Sequence, residues 1–150
     1  MSTISELLPA EAVMLQLEST EKVAVIKELT RLLGSDVVAD EKALLEAVLR
    51  RENLESTGIG MGVALPHART SAVRRTALAF GRSENGVDFS SLDRRPSHLV
   101  FLIVAPEDRK TEYIMTLARV SKLLRREEVR SELSRADTAE AILEVFRSHE

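Results

Sequence analysis

The chain has 150 residues, 44% of them apolar and 3% aromatic, with no cysteine or tryptophan and a formal net charge of −3. That length suits one domain over residues 1–150, the acidic balance and scarce rings argue against nucleic-acid binding, and the missing cysteines exclude disulfides and thiol chemistry. No apolar stretch is long enough for membrane insertion, and the opening residues Met1 to Glu6 lack a secretory pattern, so a cytoplasmic location is expected.

Val13, Leu15 and Leu17 alternate with Met14 and Gln16, which predicts a short strand. Residues 21–33 read as a helix with Val25, Ile26, Leu29, Leu32 and Leu33 as its apolar stripe and Gly34 as its stop. Asp40 caps a second helix, with Leu44, Leu45, Val48 and Leu49 inward, that delivers Arg50 and Arg51 at its C-terminal end. A glycine-rich loop leads into a strand from Val63 to Leu65, which Pro66 ends by removing a donor. Thr76–Phe80 and Leu99–Val104 are further strands, the second apolar throughout, as expected of a strand buried on both faces. Ser83-Glu84-Asn85-Gly86 is a turn signal. Three helical segments follow. Residues 111–125 carry Tyr113, Leu117, Val120 and Leu124 on one stripe, and residues 127–134 form a shorter segment. The last is built on Ile142, Leu143 and Phe146, with Asp137 and Glu140 as a capping box. The order of elements predicts an α/β fold, a small mixed β-sheet flanked by helices on both sides.

The chemistry concentrates in Ser56-Thr57-Gly58-Ile59-Gly60-Met61-Gly62-Val63-Ala64-Leu65-Pro66-His67. Glycines allow sharp turns and close backbone approach, and amides in such a loop can converge on an anion. A histidine directly after it is a nucleophile or base within reach of that anion. The run is no Walker A loop, because no Gly-Lys-Ser/Thr follows, and no dinucleotide fingerprint, because it leads into a strand. These parts suggest a phosphoryl group received on His67. Ser56 and Thr57 can donate hydroxyl hydrogen bonds to it or stabilise the turn, and Gly58, Gly60 and Gly62 read as backbone determinants. His98 and His149 have no companion at metal-ligand spacing, so no metal site is expected.

This run, with Arg51-Glu52 before it and Gly86-Val87-Asp88-Phe89, Leu92-Asp93 and Leu99 to Pro106 after it, resembles the enzyme IIA domains of the bacterial phosphotransferase system. The similar group is the fructose/mannitol class, and within it the nitrogen-regulatory proteins. The resemblance implies a small mixed sheet covered by helices on both sides. It also implies transfer to Nε2 of His67 from a histidine-phosphorylated carrier protein, with Arg51 beside the phosphoryl group and no cofactor. The partner on the other side would be a regulatory protein target, or an enzyme IIB that receives phosphate for sugar uptake. A third reading is an interaction module without useful phosphotransfer. The chain departs from the family pattern at Met61 and Ala68, and more consequentially at Tyr113, which aligns with the family's second histidine. A tyrosine can donate a hydrogen bond there but carries no positive charge near neutral pH.

Overall fold

The apolar run near residue 100 becomes the central strand because both of its faces find a layer to bury against. The computed structural model describes residues 2–150. In it β6 (Ser97–Ala105) is buried continuously from Leu99 to Ala105. β5 (Ala77–Val87) runs antiparallel to it on one side and pairs in turn, in parallel, with β1 (Val13–Met14). On the other side β3 (Val63–Ala64) and β4 (His67–Arg69) both lie parallel to β6, and β2 (Gly58–Gly60) closes a hairpin with β3. The result is a mixed sheet of six strands in the order β1-β5-β6-β3-β2, with β4 on β6 beyond β3.

Helices cover it as expected. α2 (Lys22–Leu32) and α3 (Glu41–Leu54) pack on each other and on β5 and β4. α1 (Ile4–Leu7), α4 (Lys110–Leu124), α5 (Glu127–Arg135) and α6 (Ala139–His149) form a second group. Phe80 and Phe101, partners across β5 and β6, bring their rings to 4.5 Å, and Phe146 of α6 meets Phe101 edge-on at 5.3 Å. Asp40 caps α3 by accepting from the Ala43 amide at 3.0 Å.

Several local expectations are corrected. The first strand stops at Met14, yet Leu17 still serves the sheet: its amide donates to the Arg82 carbonyl at 2.8 Å and its side chain lies over Gly81. The Ser83–Gly86 signal is no chain reversal. It is an irregularity inside β5, between Arg82 and Val87, where the Ser83 hydroxyl accepts from the Gly86 amide. The last helix opens on Thr138, which accepts from Ala141, while Glu140 pairs with Arg147 instead of completing a box with Asp137. Pro66 interrupts its ladder without ending it. Ala64 is opposite Val100 and His67 opposite Ile103, so β4 resumes in the same register. The Pro66 carbonyl still accepts from Ile103, although the ring nitrogen has no hydrogen to give.

One buried carboxylate ties the helices to the glycine loop. Glu52 falls four residues after Val48 on the inward stripe of α3 and is 4% exposed. It accepts from the Thr57 amide at 2.9 Å and from Lys22 Nζ at 3.1 Å, and the Thr57 hydroxyl donates to its other oxygen. Lys22 also sits over the Phe89 ring. Removing the carboxylate strands a buried amide and a partly buried ammonium. Glu52→Ala should therefore cost about 3 kcal/mol, read as a lower urea midpoint at unchanged slope. An unchanged midpoint would contradict this account of the loop's anchor.

Candidate active site

His67 stands at the start of β4, half-buried, in the wall of a cavity of about 670 Å³. Arg51, Thr57, Gly58, Leu65 and Leu117 share that wall. Strand alternation turns His67 and Arg69 to one side of β4 and the buried Ala68 to the other.

The ring of His67 folds back onto its own backbone. Nδ1 lies 2.6 Å from the Leu65 carbonyl. A carbonyl only accepts, so Nδ1 is the protonated nitrogen and Nε2 carries the lone pair. Nε2 has no hydrogen-bond partner among the described residues. Burial pushes the ring's pKa below its ordinary value, and the Arg51 cation adds to this, while the Leu65 carbonyl and the Glu52 carboxylate oppose it. The ring is neutral at neutral pH and nucleophilic at a defined atom.

Arg51, in the last turn of α3, donates from Nη1 to the Glu55 carbonyl at 2.8 Å. Tyr113, in the first turn of α4, brings its ring centroid to 5.9 Å from that of His67, at 55°. Its position beside the histidine was legible from the alignment of residue 113 with the second histidine. Burial holds its hydroxyl protonated, with the pKa pushed up to about 12 against the opposing pull of Arg51 and Arg69.

The hydroxyl pair is turned into the loop, and the glycines act through its backbone geometry. The Thr57 hydroxyl hydrogen goes to Glu52 and the Ser56 hydroxyl hydrogen to the Phe89 carbonyl, so neither is available to an anion. Ser56 Oγ also accepts from the Gly58 amide at 3.0 Å, which leaves both side chains as determinants of the loop. Gly58 lines the cavity and is glycine for space: a Cβ there would lie 2.1 Å from Ser91 Oγ. Gly60 and Gly62 stand outside the cavity wall, on either side of Met61 in the β2–β3 turn, where three successive residues have φ of 87°, 59° and 76°. Such a run is costly for side chains with a Cβ, which accounts for two of the three glycines.

Arg69 is a residue that the sequence reading missed. It lies on the His67 side of β4, and its guanidinium donates to the Glu107 carbonyl in the connection between β6 and α4. The available signal was the period of two in His67-Ala68-Arg69, hidden because Pro66 reads as a strand end. His98 and His149 are committed elsewhere, Nδ1 of His98 to the Ser83 carbonyl at 2.8 Å and Nε2 of His149 to Glu132 at 2.7 Å. Among the described residues no group of three or more histidine and carboxylate side chains converges as a metal ligand set.

A neutral imidazole with an open Nε2, a guanidinium in the same cavity wall and a protonated phenol against the ring form an arrangement suited to a phosphoryl group. Comparison with known proteins agrees with this chemistry. Residues 6–149 match the family described as "Phosphoenolpyruvate-dependent sugar phosphotransferase system, EIIA 2". The chain is 45% identical over 148 residues to the fructose-specific EIIABC component of Bacillus subtilis, covering 98% of this chain but 23% of that longer protein. It is 33% identical to a nitrogen regulatory protein of Bradyrhizobium diazoefficiens, covering 95% of this chain and 94% of the relative. The crystal structure of the nitrogen regulatory protein IIA-Ntr from Neisseria meningitidis superposes with a TM-score of 0.89 at 29% identity, covering 95% of this chain and 98% of that one. The chain belongs to the EIIA type 2 family of the phosphoenolpyruvate-dependent sugar phosphotransferase system.

Proposed function

We propose that Nε2 of His67 accepts a phosphoryl group from a histidine-phosphorylated carrier protein and later releases it. The observation that carries this is the bond from Nδ1 to the Leu65 carbonyl, which fixes the tautomer with Nε2 as the nucleophile. In the transfer Nε2 forms a bond to phosphorus while the donor's P–N bond breaks and its electron pair returns to the donor ring. Nδ1 keeps its proton, donated in a hydrogen bond to the Leu65 carbonyl, so the phosphorylated ring is cationic. Its departure in the reverse or onward step regenerates a neutral imidazole. Bonds made and broken are of one kind, so the work of the protein is positioning and charge stabilisation. Arg51 supplies the charge, and Tyr113 donates one neutral hydrogen bond from the position of the second histidine.

Two destinations have support. The higher identity, to a fructose-specific component, favours passage to an enzyme IIB for sugar uptake. The likeness to nitrogen regulatory proteins, in sequence and in fold, favours a regulatory target whose binding depends on the phosphorylation state of His67. Incubating the phosphorylated protein with a purified fructose-class enzyme IIB separates them. Rapid loss of the label to the enzyme IIB supports the first, and retention supports the second.

Four outcomes test the site. Native protein incubated with phosphoenolpyruvate, the first enzyme of the system and a histidine phosphocarrier should gain one acid-labile phosphoryl group by intact mass, and His67→Ala none. Equal labelling of the two would remove His67. Arg51→Ala should slow transfer roughly tenfold or more, the loss of one charged hydrogen bond in the transition state, and Arg50→Ala far less. Because the pKa of His67 is lowered, the acid limb of the rate should fall below pH of about 6.5, since protonation removes the Nε2 lone pair. A limb above that value would mean that the ring is stabilised as a cation instead. Tyr113→Phe should cost about 1 kcal/mol in the transfer barrier, and Tyr113→His should speed transfer at slightly acid pH, where imidazole gains its charge. A Phe variant with native rate would make Tyr113 only the start of the apolar stripe of α4.

A further inference from the structure

Position 113 holds a neutral phenol, so the phosphotransfer reading leaves Arg51 as the one cation at the reacting group. The geometry points to a second: Arg69 holds a phosphoryl oxygen from the far side of Tyr113, so that two fixed guanidinium groups replace a titrating second histidine. This inference rests on the phosphotransfer reading and adds a residue to it.

The two arginines are built alike. Arg51 is held by the Glu55 carbonyl at the end of α3, and Arg69 by the Glu107 carbonyl before α4. Both anchors are neutral backbone groups. Neither guanidinium forms an ion pair among the described residues, in contrast to Arg31, Arg75, Arg119, Arg126 and Arg147, each of which meets a carboxylate. An arginine oriented by a carbonyl keeps its whole charge and four further N–H donors for an anion. Carbonyls also hold Arg74, Arg82 and Arg130, and it is the place of Arg69 on the His67 face of β4 that sets it apart from them.

Placement supports the same assignment. Two residues along β4 separate Arg69 from His67 by about 6.6 Å of strand on one face, within the reach of an arginine side chain. Arg69 is exposed, so its free N–H groups are open to a partner-borne group. Tyr113 packs on His67, and its hydroxyl feels both Arg51 and Arg69. A phosphoryl group on Nε2 beside this phenol would have one guanidinium towards α3 and another towards the β6–α4 connection. Charge on three equatorial oxygens calls for donors on more than one side. The arginines exchange no proton in the step. The new P–N bond forms at Nε2 as the donor's breaks, and both guanidinium groups stay charged throughout.

The test is single-turnover transfer from a histidine phosphocarrier, itself phosphorylated by phosphoenolpyruvate and the first enzyme of the system, over a range of carrier concentrations. Arg69→Gln should lower the maximal rate about tenfold, with the half-saturating carrier concentration within about twofold of native. Arg69→Lys should recover most of the rate, because it restores the charge without the planar fork. A native maximal rate in Arg69→Gln overturns the proposal. So does a loss confined to carrier saturation, which would make Arg69 a docking residue. A lysine variant as slow as glutamine also overturns it, leaving Arg69 a tether of the β6–α4 connection. Failure of the native chain to take any phosphoryl group would instead overturn the phosphotransfer reading on which this one rests.

Discussion

The bond between Nδ1 of His67 and the carbonyl two residues upstream is the contact on which the rest of the site depends. It exists because the chain is interrupted at Leu65-Pro66 between two segments that keep one register on β6. A continuous strand would point the Leu65 carbonyl along a ladder. Here Leu65 instead donates its amide to the Thr57 carbonyl, Pro66 offers no amide, and the ring of His67 turns back to the carbonyl it can reach. The same short detour therefore fixes the tautomer and half-buries the ring. Burial keeps the imidazole neutral, and the hydrogen bond decides which nitrogen is free.

Charge around that ring is arranged as one opposed pair. Arg51 and Glu52 are neighbours in sequence and act on His67 in opposite directions. Their own fates differ because the helix turns them apart. Glu52 faces inward to Lys22 and Thr57, and its charge is spent on holding the loop. Arg51 faces the cavity and meets only a carbonyl. A single helical step thus separates the residue that builds the site from the residue that can serve it. The phenol at 113 fits this arrangement: it adds bulk and a donor against His67 without a second titrating charge.

Much of this was legible in the sequence. The period of the helices, the apolar run of β6 and the resemblance carried by Ser56 to His67 placed the layers, the histidine and Tyr113. The illegible parts share a physical cause. They depend on partners distant in sequence or on backbone atoms that have no letter. Proline signals a strand end because it lacks a donor, but a partner strand can continue past it, and β4 with Arg69 was hidden for that reason. Thr57 reads equally well as an anion donor or a turn residue, and Ser56 more as a turn residue, until Glu52 and Phe89 are seen to take their hydrogens. Gly60 and Gly62 belong to a motif that looks like an anion loop, yet their positive φ serves a hairpin turn. Glu52 did leave a trace, as a carboxylate four residues beyond Val48 on an apolar stripe.

The most direct test of the account is the protonation of the two ring nitrogens of His67, read by long-range proton–nitrogen NMR on the isotope-labelled native protein at neutral pH. A neutral ring with its proton on Nδ1 and a bare Nε2 is the expected result. A ring protonated on Nε2, or a charged imidazolium at that pH, would contradict it.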